Sequence, residues 1–337
     1  MRASYSLVSW LVVLAILAIV PAVAQHTGET FYVDLFSRIV ILAIAVVSLD
    51  LLIGFGGMVS FGHAAYLGLG SYAVGILSFY GIGDGFVHFA FAAACSAIFA
   101  FLVGIVSLRV RGAYFIMITL AFTQFLYFLS ISLATFGGDD GMVLAERSSL
   151  PGLDMYDGLT LYYLSFAVLV LTLFFMRRLG RSRFGIVLDG IRQNERRMAA
   201  IGIKTFRYKL TAFVIAGTLC GIAGALLANH EEFISPAVLH WSKSGDLLVM
   251  AIMGGIGTLL GGVVGAFVFI FLEILLSGYS EHWHLVFGPL LVLLAVATRN
   301  GLLDLKLLGR GSLRRARPAP ATPADGQPIV QTLRGVK

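Results

Sequence analysis

Stretches of about 20 apolar residues recur along this chain between short polar connectors, and no other feature restricts its fold as strongly. A helix of that length spans the hydrocarbon core of a bilayer. Segments that meet the criterion lie near 7–24, 35–54, 58–80, 86–108, 112–136, 159–177, 209–229, 246–260, 262–278 and 284–298. With 58% hydrophobic residues, 12% charged ones and a mean hydropathy of +0.92, the composition leaves too little polar surface for a water-soluble domain of this size. The expected class is an all-α polytopic membrane protein with about ten transmembrane helices. A formal charge of +6 does not indicate nucleic acid, because Lys and Arg fall between and after the apolar runs instead of forming one basic domain. Cys95 and Cys220 each sit inside an apolar run and offer neither a disulfide framework nor a metal-ligand cluster.

The cations set the orientation. The connector 176–209 holds Arg177, Arg178, Arg181, Arg183, Arg192, Arg196, Arg197, Lys204, Arg207 and Lys209 against Asp189 and Glu195, which places it in the cytoplasm by the positive-inside rule. Arg109 and Arg111, and the Arg-rich stretch after 298, belong on the same side. The acidic segment 137–158, with Asp139, Asp140, Glu146, Asp154 and Asp157, belongs on the other. A single pass through 246–278 would put the Arg-rich C-terminus outside, so parity favours two short passes. Their break is expected at Gly254–Gly257 and Gly261–Gly262, where glycine permits a sharp turn. Ten passes leave both termini cytoplasmic, and a five-plus-five division would make the halves inverted. The N-terminal run from Leu7 followed by Ala22-Val-Ala24 also resembles a signal peptide; cleaved or retained, it leaves Gln25 outside. The chain thus divides into a transmembrane body, 1–309, and a proline-bearing stretch, 310–337, that reads as a disordered cytoplasmic tail.

Within the spans, Gly257, Gly261 and Gly265, like Gly217 and Gly221, recur at four-residue intervals and would line one helix face for close packing. The glycine-rich run 54–72, with Ser60 and His63 in it, reads either as a tight helix pair or as a discontinuous helix at a transport pathway. Polar groups in hydrocarbon are costly and mark pathways, which makes Ser60, His63, Thr119 and Gln124 candidates for lining one. Asp50 and Glu273 would be the proton carriers of an ion-coupled transporter, yet neither has a partner in its own segment. No phosphate loop, HExxH or GxSxG occurs, so any ATP that powers the protein is bound by another chain.

The connector contains one compact block, Gly190-Ile-Arg-Gln-Asn-Glu-Arg-Arg-Met-Ala-Ala-Ile-Gly-Ile203. With Asp189 as N-cap and Gly202 just past the end, it reads as one helix of about three turns. Ile191, Glu195, Met198 and Ala199 then share a face, and Arg192 pairs with Glu195 across a turn. Such a helix is too short to be stable alone and must dock, on a partner or on anionic lipid headgroups.

These residues carry a resemblance. The run 185–203, followed by Tyr208-Lys-Leu-Thr-Ala-Phe213 and Gly221-Ile-Ala-Gly-Ala225, resembles the cytoplasmic loop and next span of LivM-type permeases, membrane subunits of branched-chain amino-acid ABC importers. Gly57-Met-Val-Ser-Phe-Gly-His-Ala-Ala-Tyr66, Arg111-Gly-Ala-Tyr-Phe-Ile-Met-Ile-Thr-Leu-Ala-Phe122 and Gly254-Gly-Ile-Gly-Thr-Leu-Leu-Gly261 are similar to three further blocks of that family, in the same order. The resemblance covers about 35–300; Asp189 and Gly190 depart from the family's usual residues. It implies a type II-like ABC importer permease in the bacterial inner membrane, whose loop 178–208 fits a cleft on an ATPase subunit. Gly185, Ile191, Arg192, Asn194, Glu195, Met198, Ala199 and Gly202 would form that coupling helix, with Glu195 meeting a polar group of the partner. The implied partners are a homologous LivH-type permease, two ATPase subunits that hold ATP-Mg, a periplasmic substrate-binding protein and membrane lipid. No cofactor is expected in this chain. Urea and short-amide permeases look much alike, an ion-coupled secondary transporter is the competing mechanism, and no catalytic constellation supports a membrane enzyme.

Overall fold

A backbone surrounded by lipid must satisfy its own hydrogen bonds, and helices do so within one segment. In the computed structural model, which describes residues 7–26, 28, 30–278, 285 and 287–289, the apolar runs are helices throughout. The chain divides into units Met1–Leu305 and Lys306–Lys337, and all described residues lie in the first. The predicted tail 310–337 falls outside the described residues, as does most of the predicted span 284–298.

Helix α1 (Leu7–His26) packs on α2 (Thr30–Asp50) and α6 (Gly158–Arg181). Apart from Leu42, which is partly buried, α2 is buried on every side from Ile39 onward. It reads as apolar all round because α6, α9 (Thr205–Glu231), α10 (Trp241–Gly254) and α11 (Leu259–Ser277) surround it. Helix α11 runs antiparallel to it: Gly262 lies against Val46 and Val47, and Glu273 pairs with Arg38 at 3.7 Å. A second layer consists of α3 (His63–Phe79), α4 (Gly85–Ser107) and α9, with α5 (Ala113–Ser132) beside them. Here the predicted small-residue face is realised. A Cβ on Gly70 would overlap the Gly221 carbonyl, one on Gly224 the Leu67 carbonyl, and one on Gly221 the Ser96 side chain, while Gly217 abuts Ala100 and Tyr66. Backbones that approach this closely gain dispersion contacts that lipid-facing helices lack.

Six described helices are long and apolar enough to cross a membrane: α2 with its extension to Phe55, α4, α5, α6, α9 and α11. Helices α3 and α10 are shorter, at 17 and 14 residues, because each abuts a break. Beyond Asp50 the chain widens into a π-helical turn, Leu51–Phe55, and is non-helical through 56–62, so α3 starts at His63 and not near 58. The second break, 255–258, follows α10; Gly261 and Gly262, expected within it, lie inside α11. Gly257, expected to share a helix face with Gly261 and Gly265, instead lies in that turn with φ +78°. The remaining two pack as expected, Gly261 on Gly254 and Gly265 on the Met250 carbonyl.

Two features were not foreseen. Strands β1 (Met142–Val143) and β2 (Phe233–Ile234) pair antiparallel across the acidic segment. After β2, a 3₁₀ turn, Pro236–Leu239, folds back so that Leu239 rests on Gly68 in the middle of α3.

Candidate functional site

The basic connector folds as two helices. Ser182 caps the first, α7 (Arg183–Gln193), by accepting the Gly185 amide at 3.5 Å. Gly185, Leu188 and Ile191 form its buried face. Gly185 must be glycine for a packing reason: a Cβ there would come within 2.5 Å of the Gly180 carbonyl. At Asn194 the backbone turns extended, φ −160° and ψ 97°, and the Asn194 carboxamide accepts the Arg197 amide at 2.9 Å, capping α8 (Glu195–Ala200). The predicted single helix capped by Asp189 is thus replaced by two capped at Ser182 and Asn194. The break rotates the second relative to the first, so Ile191 is buried, Met198 half-buried and Ala199 exposed instead of sharing a face. Met198 folds back over Gly190, where a Cβ would stand 2.8 Å from its methyl carbon.

The end of α8 is as expected. Gly202, with φ +86°, sits one residue past the helix cap. Its amide bonds to the Ala199 carbonyl at 3.0 Å and that of Ile203 to Met198 at 3.1 Å, the paired bonds of a Schellman ending. A side chain at φ +86° would strain this turn.

Electrostatics decide where the pair docks. Arg192 and Gln193 bind Asp189, at 2.8 and 2.9 Å, so Arg192 does not form the predicted pair with Glu195. The apolar stem of Arg192 lies on Gly57 in the first break; a Cβ at Gly57 would stand 2.6 Å from Arg192 Cγ. Glu195 joins three elements: Oε1 receives Lys209 Nζ of α9 at 2.8 Å and the Thr205 hydroxyl at 3.1 Å, and Oε2 faces Arg111 Nε, just before α5, at 3.3 Å. Partial burial pushes its carboxyl up. The Lys209 hydrogen bond and charge, the Thr205 hydroxyl and Arg111 together outweigh that and hold it below the usual glutamate value. The helix pair is therefore fixed to the bundle through α9, the start of α5 and the break after α2. Ile186 and Ile201 are each 67% accessible, and Arg183, Arg196 and Arg197 are exposed.

The first break gathers three of the candidate pathway residues. Ser60 Oγ accepts the Gly62 amide at 3.1 Å. Thr119 accepts the Phe61 amide at 3.2 Å, and Thr123 donates to the Phe61 carbonyl at 3.0 Å. His63 is fully buried; its ring stands edge-on to Tyr66 at 5.6 Å, and neither ring nitrogen has a hydrogen-bond partner among the described residues. Gln124, on α5, is half-buried, and its side-chain carbonyl oxygen has no hydrogen-bond partner among the described residues.

The two breaks meet. The Gly257 amide donates to Asp50 Oδ1 at 2.6 Å, and a Cβ on Gly54 would lie 2.6 Å from Gly257 Cα. Asp50, which the sequence offered as a proton carrier without a partner, is the acceptor that joins them. Its importance was not legible, because Gly257 is distant in sequence.

A family model described as the branched-chain amino acid transport system / permease component matches residues 31–296. The chain is 27% identical to the high-affinity branched-chain amino acid transport system permease protein LivM of Escherichia coli K12 over 321 residues, 88% of this chain and 75% of that one. It is 27% identical to LivM of Salmonella typhimurium LT2 over 298 residues, 81% and 70% of the two chains. The permease LivH of Escherichia coli K12 is 28% identical over 139 residues, 41% of this chain and 44% of that protein. No solved structure matches.

Proposed function

The chain belongs to the branched-chain amino acid transport system permease family, and from that premise we propose that it is the LivM-type membrane subunit of an ATP-driven importer of branched-chain or related amino acids. It works in a bacterial inner membrane with a LivH-type permease, two ATPase subunits that bind ATP-Mg and a periplasmic receptor. In this reading ten passes leave both termini in the cytoplasm, and the shorter α3 and α10, each meeting a break, support a division into two inverted halves.

The observation that carries the mechanism is the seat of Arg192 on Gly57. The exposed face of α7 and α8 docks in the ATPase cleft, and closure of the ATPases displaces the pair. Through Arg192 that motion reaches the first break, through Glu195 it reaches Lys209 and Arg111, and through Asp50 the first break moves with the second. Packed elements with two arrangements transmit such a shift because close-packed interiors do not deform continuously. Direction comes from the difference in ligand affinity between inward-open and outward-open states. No covalent chemistry on the substrate is involved.

Ion coupling through Asp50 or Glu273 is the weaker reading, since both carboxylates are engaged structurally, with Gly257 and Arg38. The experiment that separates the two is uptake into proteoliposomes of the complete complex supplied with loaded receptor. Uptake that needs enclosed ATP and survives an uncoupler is expected; uptake that needs only an ion gradient would contradict the proposal.

A further inference from the structure

Glu232 is the one described non-glycine residue with a left-handed backbone, φ +53°. An L side chain is strained there, so the conformation persists only where its surroundings fix it. One segment fixes both its backbone and its side chain. The Glu232 carbonyl accepts the Leu144 amide at 2.8 Å, and its carboxylate pairs with Arg147. Arg147, 14% exposed, also donates to the Met155 carbonyl at 2.6 Å and lies over the Tyr156 ring, 5.7 Å from its centre. One residue on, the Ser148 amide donates to the buried carboxamide of Asn229, on α9, at 2.8 Å. Together with the β1 and β2 pair, these bonds tie residues 142–156 to the end of α9 and to the chain that leaves it.

That chain turns at Glu232 and runs back along α3. Ile234 packs on Gly75, Leu239 on Gly68, and the Ser244 hydroxyl accepts the Ala64 amide at 2.9 Å. At about 1.5 Å per residue these contacts follow α3 for about 16 Å and lead into α10. Helix α10 in turn ends at the second break, where Gly257 meets Asp50. Helix α9 has 27 residues, so Glu232 stands about 40 Å from the end of α9 at which α8 is attached. Residues 142–156 therefore hold α10 from the end of the bundle opposite α7 and α8.

We propose that residues 142–156, the end of α9 and residues 233–240 form one body that takes up the docking of a loaded receptor and passes it to α10, with Arg147 as the positioning residue that keeps the body whole. This rests on the permease reading, which puts the receptor opposite the ATPases. A segment pinned through a strand pair and a largely buried guanidinium carries a displacement as a unit, whereas a loop held only at its ends absorbs it.

The test uses the reconstituted complex of two permeases and two ATPases with its receptor, on a Cys95→Ser, Cys220→Ala background. Val143 and Phe233 are opposite each other, next to the hydrogen-bonded Leu144 and Glu232, which is the close cross-strand spacing that a disulfide fits. With Val143→Cys and Phe233→Cys joined by oxidation, leucine import is expected to stay within about twofold of the same protein after reduction, because strands that move together lose nothing when linked. A larger fall, which would mean that the strands part during transport, overturns the proposal. In a second measurement, Arg147→Gln with Glu232→Gln removes both charges at once and strands neither. This variant is expected to assemble and to hydrolyse ATP without receptor as the wild type does, while stimulation by loaded receptor falls at least about tenfold. Adding the 143 to 233 disulfide is expected to restore the stimulation. Stimulation that survives the two substitutions, a loss shared by receptor-free hydrolysis, or failure of the disulfide to restore it overturns the proposal. A wild-type complex whose ATP hydrolysis does not respond to loaded receptor would instead refute the permease reading.

Discussion

Glu195 holds the helix pair α7–α8 because its carboxylate bridges two cations on different elements, Lys209 and Arg111. Lys209 is almost buried, so removing the carboxylate's charge strands an ammonium, which is worse than removing both partners. Glu195→Gln is therefore expected to leave the protein in the membrane, expose the loop to protease and lower ATP-coupled uptake at least about tenfold, the effect of about 1.4 kcal/mol. Adding Lys209→Met should restore protease resistance in part, as measured by limited digestion of inside-out vesicles. The pH dependence follows from the depressed carboxyl: its stabilising contribution is full above the usual glutamate range and is lost as pH falls through its lowered value. Loop cleavage should thus be flat from pH 8 to about pH 5 and rise only below about 4. Sequence periodicity singled out Glu195 as an acidic residue on a less polar face, but its real partners lie outside its own helix, where a periodicity argument does not reach.

At the scale of elements, the two breaks were visible in the sequence because glycine clusters interrupt apolar runs that otherwise continue. Their contact was not. Asp50 looked like a misplaced charge at the end of a span, and only the fold brings the Gly257 amide to it. Helix boundaries differ at the caps: the sequence reading takes Asp189 as the cap of one helix, whereas Asn194, an equally favoured cap residue, accepts the Arg197 amide three residues beyond it and starts a second one. The long packing face of α9 was legible from Gly217 and Gly221, since four-residue spacing of small residues has one principal use between membrane helices. The fold-back at Pro236–Leu239 was hidden by its mixed composition. Asp50→Asn replaces a charge-assisted bond by a neutral one and is expected to destabilise the docked breaks by about 1–2 kcal/mol. Gly257→Ala, at φ +78°, should cost about 1–2 kcal/mol. Because both act on one contact, the double variant should cost less than the sum, as read from thermal unfolding of the purified complex.

The described part of the molecule is a bundle of apolar helices to which α7 and α8 are attached at three places, one of them at an interrupted helix. Arg192 lies on Gly57, Glu195 ties α8 to α9 and to the start of α5, and the breaks share Asp50. The proposed coupling requires that movement of the helix pair reach the first break, with Gly57 as the point of transfer. Gly57→Val places a branched side chain where the Arg192 stem rests and leaves the exposed docking face of α7 and α8 unchanged. The most direct measurement is the number of leucine molecules imported per ATP hydrolysed in proteoliposomes of the complete complex. The expected result is that Gly57→Val still hydrolyses ATP in response to loaded receptor but imports at least about tenfold less leucine per ATP than wild type. An unchanged ratio in a correctly assembled Gly57→Val complex would contradict the account.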